Sequence, residues 1–280
     1  MSDLRVWVDG ARVDPTGPAV SAVDHGVTVG DGAFETAKIE DGVPFALSRH
    51  LARLDRTMAG LGLPPADHDR VREGVDAVLA GEPIGFGRLR WTVTGGRGPL
   101  GSDRLGSALT YIVTAAAHDR PGDHGAVVTV PWVRNERSAT AGLKTTSYAE
   151  NVVALARAHE RGAMEALFAN TRGELCEATG SNVFVVVGGV VRTPPVDSGC
   201  LAGISRALVL EWCAADGLEV REESMPLSVL EEAEEVFLTS SVKDVLPVSS
   251  VDGRPLPWPG PRTAAVRAVW DRHSAESPDP

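Results

Sequence analysis

Hydrophobic and polar residues alternate near the start of the chain, and the spacing then lengthens to three and four. Residues 3–14 alternate around Asp9-Gly10, and residues 34–47 alternate around Asp41-Gly42. Alternating runs on either side of Asp-Gly predict β-hairpins, because both turn positions need a positive φ. From Ser48 onward Leu51, Leu54, Met58 and Leu61 recur at helical spacing, with Ser48 as the expected N-cap and Gly62 and Pro64 as the stop. A second helix is expected over 67–80, and strands at 88–94 and 108–116. The first part of the chain therefore reads as α+β.

The polar stretch 118–125, with one proline and two glycines, reads as a linker. It divides the chain into a small α+β domain over 1–119, a connection at 120–125 and a larger domain over 126–280. The larger domain is expected to hold a strand at 126–132, a helix at 147–161, a strand at 163–169 and a turn at Asn170–Gly173. An apolar strand at 182–187 follows, then a hairpin at Gly188-Gly189 and a helix from Gly203 to about 215. Strands near 218–222 and 235–239 and a helix at 262–273 complete the pattern. Residues 274–280 are expected to be loosely held.

Composition narrows the function classes. A formal net charge of −11 speaks against a binder of the phosphate backbone of nucleic acids, which needs a basic face. No apolar run approaches the roughly 18–20 residues that span a bilayer. The first residues lack the layout of a signal peptide, so the cytoplasm is the default location. Cys176, Cys200 and Cys213 have no CxxC spacing, which fits free thiols, and the scattered histidines suggest no metal site. Lysine occurs only at 38, 144 and 243. Chemistry that needs a side-chain amine thus has three candidates.

Lys144 lies in an apolar stretch with no carboxylate within five residues on either side. Poor solvation favours its neutral amine, which can attack a carbonyl and hold a Schiff base. The alternative is a surface lysine near a helix start. Glu177 precedes a strand that reads as buried; it is either a surface glutamate like Glu174 or a carboxylate held for a purpose. Gly203, Ile204 and Ser205 open a helix whose N–H groups suit a phosphate, although ordinary capped helices look the same. Ser240 and Ser241 belong to a hydroxyl cluster at a strand end, and Arg53 is a helix arginine that is either solvated or aimed at a phosphate.

In order and spacing these segments resemble the class IV aminotransferases, pyridoxal 5′-phosphate (PLP) enzymes of fold type IV. The matching blocks are DHGVTVGDGAFETAKIEDG, HLARL, LKTTSYAENVVA, GELCEATGSNVF, GCLAGISR and FLTSSVKDVLPV, from about residue 24 to 248. The resemblance implies an α+β fold, with a small N-terminal domain and a larger C-terminal domain that has a β-barrel-like core. It implies PLP at the domain interface and a homodimer.

The resemblance also implies roles. Lys144 would be the Schiff-base lysine and proton shuttle, and Glu177 the partner of the pyridine nitrogen. Arg53, Gly203, Ile204, Ser205, Ser240 and Ser241 would hold the phosphate. The expected activity is transfer of an amino group between a D-amino acid or (R)-amine and a 2-oxo acid. The alternative is 4-amino-4-deoxychorismate lyase chemistry, giving 4-aminobenzoate and pyruvate. Phe34 stands where related aminotransferases often have tyrosine. No Arg-x-His clamp is present, which leaves Arg97 or Arg137 as the expected carboxylate contact.

Overall fold

The computed structural model describes residues 4–280, so residue 3 of the first predicted hairpin lies outside the described residues. The chain forms two compact units. The first holds the residues through Arg120 together with Leu143–Tyr148 and Asp279; the second holds Pro121–Gly142 and Ala149–Pro278. The segment that carries Lys144 thus belongs with the first unit, although it follows the linker in sequence.

In the first unit β1 (Arg5–Val8), β2 (Ala11–Val13), α1 (His25–Thr28), β3 (Gly32–Glu40) and β4 (Val43–Pro44) precede α2 (Leu47–Gly60) and α3 (His68–Leu79). Strands β5 (Phe86–Thr94) and β6 (Thr110–Ala117) complete an antiparallel sheet of order β2-β1-β6-β5-β3-β4. Both predicted hairpins form, with positive φ at Asp9, Gly10, Asp41 and Gly42. One sheet face presents Trp7, Leu89, Trp91, Val93 and Val113 to the apolar stripes of the two longer helices. Gly74 on α3 leaves room for that packing, since a Cβ there would lie 2.5 Å from Val113 and 2.8 Å from the Trp7 ring.

Ser48 is not the N-cap of α2: the helix starts at Leu47 after Ala46, which adopts φ +56°. Ser48 instead donates its amide and hydroxyl to the Asp279 carboxylate, at 2.9 and 2.5 Å. That contact holds Asp279, one of the residues that polar composition alone marked as loose.

The second unit contains β7 (Gly125–Arg134), α4 (Ala149–Glu160), β8 (Glu165–Asn170), β9 (Leu175–Ala178), β10 (Asn182–Val187) and β11 (Val190–Thr193). It continues with α5 (Ile204–Ala215), β12 (Val220–Glu222), α6 (Val229–Glu232), β13 (Glu235–Ser240), β14 (Asp244–Val251), β15 (Arg254–Pro255) and α7 (Pro261–Ser274). The sheet order is β12-β11-β10-β13-β14-β7-β8-β9, with β15 on β14. Strands β9 and β10 lie far apart along that path, yet only residues 179–181 join them. The sheet must therefore curl on itself, which gives the barrel-like core. Val127, Leu167, Leu175, Val183, Val185, Val236, Leu238 and Val248 fill its interior.

Candidate active site

In the first unit the Lys144 segment is tied to β3. The Phe34 N–H donates to the Lys144 carbonyl at 3.0 Å, and the Thr146 N–H donates to the Gly32 carbonyl at 2.8 Å. The Lys144 amine sits over the Phe34 ring, 4.5 Å from its centroid. The Arg90 guanidinium lies 3.8 Å from the same centroid, and Tyr148 meets the ring edge-on at 5.3 Å. Burial lowers the pKa of Arg90 from the usual arginine range, with the neighbouring Arg88 adding to the effect. A guanidinium stripped of part of its water binds an incoming anion more strongly than a solvated one.

The other two lysines are committed elsewhere. Lys38 pairs with Glu40 at 3.2 Å and lies 5.0 Å from the Phe45 ring centroid. Lys243, in the second unit, pairs with buried Glu165. Glu165 also accepts the Ser181 hydroxyl at 2.5 Å, the Gly180 amide at 2.6 Å and the Thr179 hydroxyl at 3.0 Å. Burial would raise the pKa of Glu165, but Lys243 and these hydrogen bonds hold it below the usual carboxylate value.

Arg53 is buried on α2 beside Glu35 of β3. Its Nε–H and Nη2–H donate to the two oxygens of Glu35 at 2.8 and 2.6 Å, and His50 Nδ1 lies 2.7 Å from Glu35 Oε2. Burial alone would raise the pKa of Glu35; the Arg53 guanidinium, with help from His50, holds it down to about 2. Burial lowers that of His50, so the imidazole is neutral and donates through Nδ1 to the ionised carboxylate.

In the second unit Glu177 lies on β9, half-buried. One carboxylate oxygen accepts the Leu201 N–H at 2.9 Å, and the other pairs with Arg134 Nε at 3.2 Å. Arg134 also contacts Glu150 at 2.5 Å and stacks over Phe168 at 4.1 Å. The contacts with Leu201 and Arg134 fix the direction of the Glu177 carboxylate. Helix α5 starts at Ile204 after Gly203, with no side-chain cap on its first amides. A Cβ at Gly203 would fall 1.9 Å from Asn182 Oδ1, so only glycine allows this close approach. Asn182 pairs across the sheet with Thr239, whose buried hydroxyl has no hydrogen-bond partner. Uncapped amides beside an unsatisfied hydroxyl fit a phosphate group. Ser240 ends β13, and Ser241 begins the turn into β14.

Arg97 and Arg137 are exposed. Sequence reasoning missed Arg90, Glu35, His50 and Arg134. Glu35 had a signal: it shares one strand face with Ala33, Ala37 and Ile39, where a lone carboxylate is out of place.

The family pattern described as "Amino-transferase class IV" matches residues 32–251. The chain belongs to the class IV aminotransferases. It is 31% identical over 278 residues to the D-alanine aminotransferase of Bacillus licheniformis, covering 95% of each chain. It is 27% identical to the aminodeoxychorismate lyase of Bacillus subtilis, over 88% of this chain and 86% of that one. Its structure is similar to the branched-chain aminotransferase from Thermoproteus uzoniensis crystallised with norvaline, with a TM-score of 0.89 and 27% identity, covering 96% of this chain and 93% of that one. Class IV aminotransferases depend on PLP, and similar solved structures include PLP-bound forms. Among the described residues, no helix of this class IV aminotransferase is long and apolar enough to cross a membrane.

Proposed function

We propose that this chain is a PLP-dependent aminotransferase that takes a D-amino acid or (R)-amine as donor and a 2-oxo acid as acceptor. Lys144 is the covalent anchor of the cofactor and the group that moves the proton at the substrate α-carbon. Glu177, oriented by Arg134 and the Leu201 amide, holds a proton on the pyridine nitrogen. The amides of Ile204 and Ser205, the close approach at Gly203, the hydroxyls of Ser240 and Ser241, and Arg53 hold the phosphate. Bound there, PLP supplies an electron sink for the bond broken at the α-carbon.

One observation carries the reading: the Lys144 amine and the Arg90 guanidinium both sit over the Phe34 ring, at 4.5 and 3.8 Å. Arg90 is thus the carboxylate contact, in place of exposed Arg97 and Arg137. Arg88 and Thr92 alternate with it on β5, and Thr36 lies opposite Arg90 on β3, so this sheet face is polar. Such a face supports an acceptor with a second carboxylate, such as 2-oxoglutarate.

The same cationic face favours one further reading, an aminodeoxychorismate lyase, since that substrate also carries more than one acidic group. The test is a half-reaction screen of the holoenzyme with D-alanine, D-glutamate, L-leucine and an (R)-amine. The transaminase reading expects the cofactor absorbance to change with a D-amino acid and to recover with 2-oxoglutarate. Rapid 4-aminobenzoate formation from aminodeoxychorismate with no oxo acid present, beside silent D-amino acids, establishes the lyase instead. The family habit also supports a homodimer, which sedimentation would check.

A further inference from the structure

The buried group of Glu35, His50 and Arg53 is more than an ordinary core ion pair. Glu35 is fully buried in the middle of a strand, and His50 is buried one turn into the facing helix, where it packs edge-on against Trp91 at 5.8 Å. Burying a carboxylate there is costly, and replacing such pairs with apolar residues is often neutral or stabilising. Glu35 takes Nε and Nη2, the side edge of the guanidinium. A guanidinium has a second planar edge, Nη1 with Nη2, of the same bidentate geometry, which suits a phosphate. With the side edge locked, the plane of Arg53 is fixed and the direction of its end edge is set. His50 in turn fixes the oxygen that Nη2 meets.

We propose that Glu35 and His50 are positioning residues for the cofactor phosphate, acting by fixing the guanidinium plane of Arg53. The inference rests on the reading that Arg53 contacts the phosphate. It predicts that phosphate recognition depends on two side chains that do not touch the phosphate themselves. Neutralising Glu35 leaves more net positive charge near the phosphate, so pure electrostatics predicts tighter binding. Orientation predicts weaker binding, and the two accounts differ in sign.

The test is competition of pyridoxal, which lacks the phosphate, against PLP on the holoenzyme, with retained phosphate read by 31P NMR. Glu35→Gln keeps the size of the side chain but places an amide where a charged acceptor stood. It is expected to lower the preference for PLP over pyridoxal by about tenfold, the worth of one charge-assisted hydrogen bond. A role in folding alone weakens both ligands together and leaves the preference at its wild-type value, which overturns the proposal; a rise in preference does the same. His50→Gln, which retains a donor, is expected to lower the preference by about threefold. It carries the test if Glu35→Gln does not fold, and an unchanged preference there also overturns the proposal. Arg53→Gln separates the two layers. If it abolishes the preference while both other variants keep it, only the positioning role fails. If it leaves the preference intact, the assignment of Arg53 to the phosphate fails, and the proposal fails with it.

Discussion

Buried Asp24 of the first unit caps α1 in the ordinary way, but Glu35 of that unit is placed differently from the buried carboxylates of the second. In the unit that carries Lys144, Glu35 sits mid-strand on β3, with Arg53 mid-helix on α2 and His50 one turn nearer its start. In the unit that carries Glu177, the buried carboxylates Glu165 and Glu235 are the first residues of β8 and β13. Glu165 pins the turn at 179–181, and Glu235 accepts the Arg262 and Thr263 amides at the start of α7, at 3.0 and 2.7 Å. Charges at strand ends fasten turns and helix starts, where backbone groups need partners anyway. A charge in mid-element gains no such partner from the backbone, so it must be matched by side chains placed for it. Glu35 therefore orients side chains alone, whereas Glu165 and Glu235 also fasten backbone amides.

The largest effect that could break this contrast comes from the amine. Lys144→Ala is expected to lower kcat by about a thousandfold or more, since proton transfer and anchoring are both lost. Activity within tenfold of wild type would show that the first unit does not supply the reactive amine. Glu177→Gln tests the second unit: kcat should fall by about a hundredfold, comparable to the loss of one preorganised electrostatic group, while the affinity for PLP changes little. If the affinity drops and kcat holds, Glu177 is a binding group and the division of labour needs redrawing.

Gly203→Ala sharpens the claim that the second unit works through its backbone. The new Cβ would meet Asn182 Oδ1 at 1.9 Å, so the start of α5 must shift. A loss of about 1–3 kcal/mol in thermal stability is expected, together with faster release of PLP. Unchanged PLP retention would show that the α5 amides do not hold the phosphate.

The smallest effect is a difference in pH response. His50 has its folded pKa lowered from 6.5 by burial, so it stabilises the fold above pH 6.5, and that stability is lost as the pH falls below it. Cys200 and Cys213 have theirs raised by burial from 9.0 to about 11, so their contribution is lost as the pH rises from 9 towards 11. Denaturant midpoints across pH should thus show an acid limb that weakens in His50→Gln and an alkaline limb that does not. An acid limb identical in His50→Gln would remove His50 from the account.

Much of the fold was legible because its elements are strongly periodic. The stripe of Leu51, Leu54 and Met58 is the buried face of α2, and the Asp-Gly turns fall where φ is positive. Strand β14 was not legible: it contains Pro247 and follows a serine-rich turn, and its pairing with β13 and β7 overrides both signals. The pairing of Lys144 with β3 was invisible, because its contacts join residues more than a hundred positions apart. In the site, motif order pointed to Lys144 and Glu177. The arginines near them, Arg90 over the Phe34 ring and Arg134 on Glu177, were hidden because an arginine on a strand looks solvated until the neighbouring strand is known.

Lys144, alone among the three lysines, is the proposed carrier of the cofactor. Borohydride reduction of the holoenzyme followed by peptide mass mapping tests this directly. A reduced pyridoxyl adduct is expected on the peptide containing Lys144 and none on those containing Lys38 or Lys243. An adduct on either of those lysines, or no adduct from a protein that still holds PLP, would contradict it.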